Sequence, residues 1–225
     1  MQIVISLGGS LIIPEKINVN FLKKFRKLIL EYIKKGNKVA IMCGGGRTAR
    51  YYIKEANKVK KLSNHNNDLI GTLATRLNGE LIRSIFSEYA YEKVIYDPTK
   101  KIKKQKKKII VGAGYLPGWS TDKDAVLLAK NLKAKTVINL TNVDYVYDKN
   151  PKLYKNAKPI KQISWKDFLK IIGTKWKAGR NVPFDPLAAI EAKKSKIKVI
   201  IINGHNLENF KNLLDGKRFK GTVIK

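Results

Sequence analysis

The chain puts glycine at three places where backbone could meet an anion: "LGGS" at 7–10, "CGGGRTAR" at 43–50 and "GAGYLPGWSTD" at 112–122. Glycine lets successive N–H groups converge and admits a phosphate to close approach. A helix that starts just behind adds the positive end of its dipole. One such cluster is also an ordinary turn, but several in one chain are hard to dismiss that way. Neither of the first two has the spacing of G-x-x-x-x-G-K-[ST] or G-x-G-x-x-G. The chemistry indicated is nucleotide or phosphate binding without a P-loop or a dinucleotide fingerprint. Arg50 follows Gly46 by one helical turn, so its guanidinium would face the bound anion. The third cluster offers Tyr115 and Trp119 for stacking, and Ser120 and Thr121 for hydrogen bonds. No Ser/His/Asp arrangement is visible, since His65 and His205 lie in polar, loop-like stretches, and no clustered histidines or carboxylates suggest a built-in metal site.

The elements that must position these residues alternate. Strands are expected at 3–7, 38–43, 93–96, 108–114, 135–143 and 197–203, with a last short one in "GTVI". Helices are expected over 18–35, ending at Gly36, through Arg50, Ile53 and Ala56, and over 67–89, where Leu69, Leu73, Leu77, Leu81 and Ile85 form a four-residue series. Further helices are expected behind Ser120–Asp122, behind the Ser164–Asp167 pair, in "DPLAAIEAKKS" and over 206–215. The Tyr- and Pro-rich stretch from 143 to 160 is too irregular for a helix. Strands separated by helices imply an α/β fold, a three-layer α/β/α sandwich around a mostly parallel sheet. Ligands of such sheets bind beyond the carboxyl ends of the strands. The loops of interest are therefore Gly8–Ser10, Gly44–Arg50, Gly112–Asp122 and Thr141–Asn150.

The 225 residues suit a single domain. No apolar run approaches the roughly 20 residues of a membrane span, the N-terminus reads as a first strand, and the single cysteine, Cys43, excludes an intrachain disulfide. A cytoplasmic protein is expected. The formal charge of +30 raises the alternative of a nucleic-acid-binding module, with "KKIKKQKKK" at 100–108 as its patch. Of the 47 basic residues only seven are arginine, and Arg47, Arg50, Arg76 and Arg83 fall in two short segments. That pattern indicates a solvated lysine surface with arginine chosen where a planar fork matters, and no specific nucleic-acid partner.

In their order along the chain, "VISLGGSLIIP", "GGGRTARYYI", "NDLIGTLATRLNGELIR", "PGWSTDKDAVLLAK", "LTNVDYVYDKNP" and "AGRNVPFDPLAA" resemble the amino acid kinase superfamily, and within it the archaeal-type uridylate (UMP) kinases. The resemblance implies one domain over 1–225, with an acceptor lobe at roughly 1–130 and an ATP lobe at 131–225. It implies transfer of a phosphoryl group from ATP to UMP, giving UDP, with magnesium accompanying ATP and a homohexameric assembly. Residue by residue, Gly9, Ser10, Gly46, Arg50, Thr141, Tyr147 and Asn150 would contact ATP. Gly45, Asp68 and the loop Ala113, Gly114, Tyr115, Leu116, Pro117, Gly118, Trp119 and Ser120 would contact UMP. Arg50 and Asp185 would serve the transfer, Asp185 either as an orienting group or as a helix cap. Gly44–Gly46 would lie between the donor and acceptor phosphates, where a side chain would block transfer. Many members carry lysine where this chain has Ser6, so the missing charge is expected from Arg50, with Lys123 as the competing source. Tyr145 and Asn150 depart from the usual D-G-V-Y-x-x-D-P pattern. Acetylglutamate, carbamate and isopentenyl phosphate kinases share the scaffold and are the alternative enzymes.

Overall fold

The computed structural model describes residues 2–102, 106–151, 153–174 and 182–225. Part of the basic run (103–105) and the "AGRN" of the "AGRNVPFDPLAA" segment (178–181) lie outside the described residues. In chain order the elements are β1 (Gln2–Leu7), α1 (Gly9–Ile12), α2 (Val19–Lys34), β2 (Lys38–Cys43), α3 (Gly46–Val59), α4 (Asn64–Ile85), β3 (Ile109–Gly112), α5 (Thr121–Asn131) and β4 (Thr136–Thr141). They continue with β5 (Val146–Tyr147), β6 (Pro159–Ile160), β7 (Gln162–Ile163), α6 (Trp165–Ile172), α7 (Pro186–Lys194), β8 (Lys198–Asn203), α8 (Leu207–Leu214) and β9 (Thr222–Ile224).

The main sheet runs β3-β2-β1-β4-β8-β9-β7. From β3 to β8 every pairing is parallel, and β9 then lies antiparallel to β8. Its central strands are apolar on both faces because helices cover both. Ile3, Ile5, Leu7 and Ile41 pack with Phe25, Ile29, Phe86 and Phe210 on one side. Val4, Ala40, Met42 and Val137 pack with Val126, Leu128, Phe168 and Ala189 on the other. The three-layer, mostly parallel architecture expected from the alternation of elements is the one found. One continuous sheet spans both proposed lobes.

Three expectations change. The run 93–96 is not a strand: only Ala90 and Ile95 bridge to β3, and the chain between them bends away from its edge. The helix expected over 67–89 starts earlier, because Ser63 caps it by accepting the Asn66 N–H, and it ends earlier, at Ile85. Asp68 thus sits in its second turn, and His65 is helical. Of the leucine series, which an amphipathic helix normally turns to the core, the first three residues face outward, while Leu81 and Ile85 pack against the core. Leu69, Leu73 and Leu77 are exposed, and the buried face is Thr72, Ala74, Thr75, Asn78, Gly79 and Ile82. Beside Ala113 only small side chains fit, since a Cβ on Gly79 would already lie 3.1 Å from that of Ala113.

Parallel register brings the loops together. Ser6 pairs with Met42 and with Asn139, and Met42 with Gly112, so β1, β2, β3 and β4 end along one edge. The strand order reverses between β1 and β4, the position at which such sheets open a crevice.

Candidate active site

At that edge the first two glycine loops touch backbone to backbone. A Cβ on Gly9 would fall 2.1 Å from the Gly46 nitrogen and 2.5 Å from the Gly44 carbonyl oxygen. A Cβ on Gly46, whose φ is +62°, would fall 2.2 Å from the Gly9 oxygen. These contacts alone demand glycine, so the reason for Gly44 and Gly46 is first the meeting of two loops. Gly8 donates its N–H to the Leu140 carbonyl, tying the pair to β4. Asn78 of α4 donates through Nδ2 to the carbonyls of Gly44 (2.7 Å) and Gly45 (3.2 Å). Asn78 was not singled out from the sequence, although the Asn-Gly pair lies inside a recognised segment.

Gly45 and Gly46 open α3, and Arg47 and Arg50 lie exposed on its first turns. Among the described residues no hydrogen bond or ion pair engages the Arg50 side chain, so its fork is available to an anion. Lys123 is differently placed, with its ammonium 3.3 Å from the centroid of the Trp119 ring.

The loop after β3 meets α4. Gly118, at φ +82°, would bring a Cβ within 3.7 Å of Asp68 Oδ2. Tyr115 and Trp119 form an edge-to-face pair at 5.6 Å. The structure therefore joins Asp68 to the loop that the sequence places far from it. Ala113 is fully buried, so only its backbone could reach a ligand, and Leu116 is exposed. Ser120 caps α5, its Oγ accepting the Lys123 N–H.

Ser6, Asp122 and Asp185 converge beneath the loops. Ser6 Oγ donates to Asp122 Oδ1 at 2.9 Å, and the Asp185 N–H donates to Asp122 Oδ2 at 3.3 Å. Burial, with the neighbouring Asp185 charge, pushes the Asp122 carboxyl up to about 6 despite the hydrogen bond from Ser6. Burial likewise pushes Asp124 up to about 7. Asp185 itself caps α7, accepting the Ala188 N–H at 2.8 Å, which is the capping alternative weighed for it. Asp122, read from sequence as one of three candidate caps, is instead the hub linking β1, α5 and α7. Its partners are remote in the chain, so no local signal marks it.

Thr141 ends β4 beside Asn203, and its carbonyl accepts the Gly204 N–H. Tyr147 lies in the β5–β6 hairpin, edge-on to Tyr145. Asn150 follows it, its carbonyl accepting from Leu153 and Tyr154. Asp144 Oδ1 accepts from Asn203 Nδ2 at 2.9 Å, which holds this excursion over the end of β8. Cys43 is buried, and burial holds its thiol protonated, in keeping with a packing role.

A mostly parallel sheet whose glycine loops meet at its switch point defines an α/β protein with its ligand crevice at that edge. The sequence profile of the amino acid kinase family matches residues 1–203, and the chain belongs to that family. Within it, the chain is similar to uridylate kinases of Pyrococcus abyssi (36% identical) and Methanococcus aeolicus (37%), in each case over 100% of this chain and 99% of the relative. The crystal structure of uridylate kinase from Archaeoglobus fulgidus superimposes with a TM-score of 0.85 at 36% identity, over the whole of both chains. The UMP kinase of Bacillus anthracis, at 20% identity and a TM-score of 0.79, shares the fold.

Proposed function

We propose that this chain is a UMP kinase, moving the γ-phosphoryl group of ATP onto UMP to give UDP and ADP. The observation that carries the reading is the seating of Asp68 against Gly118, beside glycine loops at the sheet's switch point. A carboxylate accepts hydrogen bonds from ribose hydroxyls, and Tyr115 and Trp119 supply the apolar surface for a base. Full-length similarity to uridylate kinases supports this acceptor over acetylglutamate, carbamate or isopentenyl phosphate.

In the transfer, an oxygen of the UMP phosphate forms the new bond to the γ-phosphorus as the bond to the ADP oxygen breaks. That oxygen is already anionic, so alignment and charge matter more than a general base. N–H groups near Gly9, Ser10, Gly45 and Gly46 would cradle the phosphates, and Arg50 would supply the charge that Ser6 cannot. Asp185 would act through Asp122, as an orienting group. Thr141, Tyr147 and Asn150 would line the ATP side. Magnesium would enter on the ATP phosphates, whose oxygens are natural ligands for it.

A UDP product would suit a role in pyrimidine nucleotide synthesis. Among the described residues no helix is long and apolar enough to cross a membrane, and a cytoplasmic location accords with the nucleotide substrates. A homohexamer needs an apolar face for contact between copies, and α3 and α4 offer one. Tyr51, Tyr52, Leu69, Leu73 and Leu77 are exposed there. Residues 62–92 are the longest lysine-free stretch of this +30 chain. Copies that repel through lysine elsewhere could meet on such a face.

The test is a coupled assay of ADP release with UMP, CMP, acetylglutamate and isopentenyl phosphate, run on the wild type and on Asp68→Asn. UMP should exceed CMP by at least about tenfold in kcat/KM, and Asp68→Asn should raise KM for UMP more than KM for ATP. Equal use of CMP, or no turnover of any nucleoside monophosphate, would refute the reading.

A further inference from the structure

Backbone polar groups of a loop leaving a sheet usually pair with water or with other backbone. In Gly114 and Tyr115 all of them go to side chains. The Gly114 N–H donates to Thr75 Oγ1 at 2.7 Å, and the Tyr115 N–H to Asp124 Oδ2 at 3.1 Å. Arg76 covers both carbonyls, its Nε donating to Gly114 at 3.2 Å and its Nη2 to Tyr115 at 3.0 Å. A planar fork presents its donors at a fixed spacing that suits consecutive carbonyls, whereas the three N–H groups of an ammonium share one point at the end of a flexible stem.

The guanidinium is itself held. Its carbon lies 4.7 Å from the centroid of the Tyr96 ring, an arrangement favourable for an arginine. Tyr96 donates its hydroxyl to Glu80 Oε1 at 3.2 Å, and Glu80 also pairs with Arg83 at 2.7 Å. The Ile95 bridge to Gly112 fixes Tyr96 at the edge of β3. This gives a role to the 93–96 run that failed to form a strand.

From this anchor the loop runs back along α4. Arg76 and Asp68 are about 12 Å apart along the helix axis. The loop is gripped at Gly114–Tyr115, meets Asp68 at Gly118, and ends in the Ser120 cap of α5. Where Tyr115 and Trp119 stand relative to Asp68 therefore depends on the grip of Arg76.

We infer that Arg76 is a positioning residue for the acceptor site: by clamping two consecutive carbonyls it presets the loop that receives the nucleoside monophosphate. The inference rests on reading residues 113–120 as the acceptor loop. The test combines amide hydrogen exchange of the ligand-free protein with steady-state kinetics on Arg76→Ala and Arg76→Lys. In Arg76→Ala, exchange over 114–119 should accelerate by at least about tenfold, while the interior of α4 keeps its protection. KM for UMP should rise by at least about tenfold, with kcat and KM for ATP within about twofold of wild type. Arg76→Lys keeps the charge and should recover less than half of the loss. If Arg76→Ala does not fold, Arg76→Lys and Tyr96→Leu carry the same two measurements. Unchanged exchange with unchanged KM for UMP would overturn the inference, as would full rescue by lysine. A wild type inactive on UMP would refute the kinase reading, and the exchange data would still decide whether the clamp exists.

Discussion

The loops after β1 and β2 and the loop after β3 share an edge of the sheet but are held by different chief means. The first two meet through missing side chains, since Gly9, Gly44 and Gly46 let two backbones touch, and Asn78 adds hydrogen bonds to the Gly44 and Gly45 carbonyls. The third is fixed by side chains that are present, with Thr75, Arg76 and Asp124 converging on Gly114 and Tyr115 from two helices. A backbone contact leaves no room to adjust. A side-chain clamp can be loosened one hydrogen bond at a time. Donor and acceptor phosphates would then rest on a stiff floor, with the acceptor's base and ribose under a tunable arch.

The sharpest way to break this contrast is Gly9→Ala. Its Cβ would overlap main-chain atoms of Gly44 and Gly46, which have no side-chain freedom with which to yield. We expect a loss of at least about 3 kcal/mol in urea unfolding, or failure to fold. A loss below about 1 kcal/mol would show that the loops part easily.

Asp124 tests the other loop. Its carboxyl, raised to about 7 by burial, binds its proton more tightly in the folded state than the ordinary value of 3.8 allows in the unfolded chain. Its contribution to stability is therefore fully present below about pH 4 and is lost as pH rises through about 7. Asp124→Asn cannot ionise and can still accept from the Tyr115 N–H. The stability of wild type minus that of Asp124→Asn should fall by about 2–4 kcal/mol between pH 4 and pH 8. A difference independent of pH would show that Asp124 titrates normally.

Gly71→Ala gives the smallest expected effect. It sits inside α4, where a Cβ would meet only Ile53 Cδ1 at 3.9 Å, an ordinary contact. Stability should rise by about 0.5–1 kcal/mol, the helix-propensity gain of alanine. A loss would show that this glycine, like Gly9, serves a close approach.

Much of this was written in the chain. The continuous apolar runs, the period-3.6 patterns, the caps at Ser120, Ser164 and Asp185 and the glycine clusters behind strands are local signals, and they sufficed for the α/β architecture and for the edge that carries the site. The lysine excess with few arginines likewise marked Arg50 and Arg76 as unusual. Tertiary structure decided what local signals cannot encode. It set Gly9 against Gly46, Ser6 on Asp122, Asp68 beside Gly118 and Arg76 on two carbonyls, all pairs distant in sequence and joined only by the register of β1, β2 and β3. It also turned Leu69, Leu73 and Leu77 of α4 outward, while Leu81 packs against the core. Periodicity reports that a helix has two unlike faces, but which face is buried depends on the room its neighbours leave, and beside Ala113 and the glycine loops there is room only for Thr72, Thr75, Asn78 and Gly79.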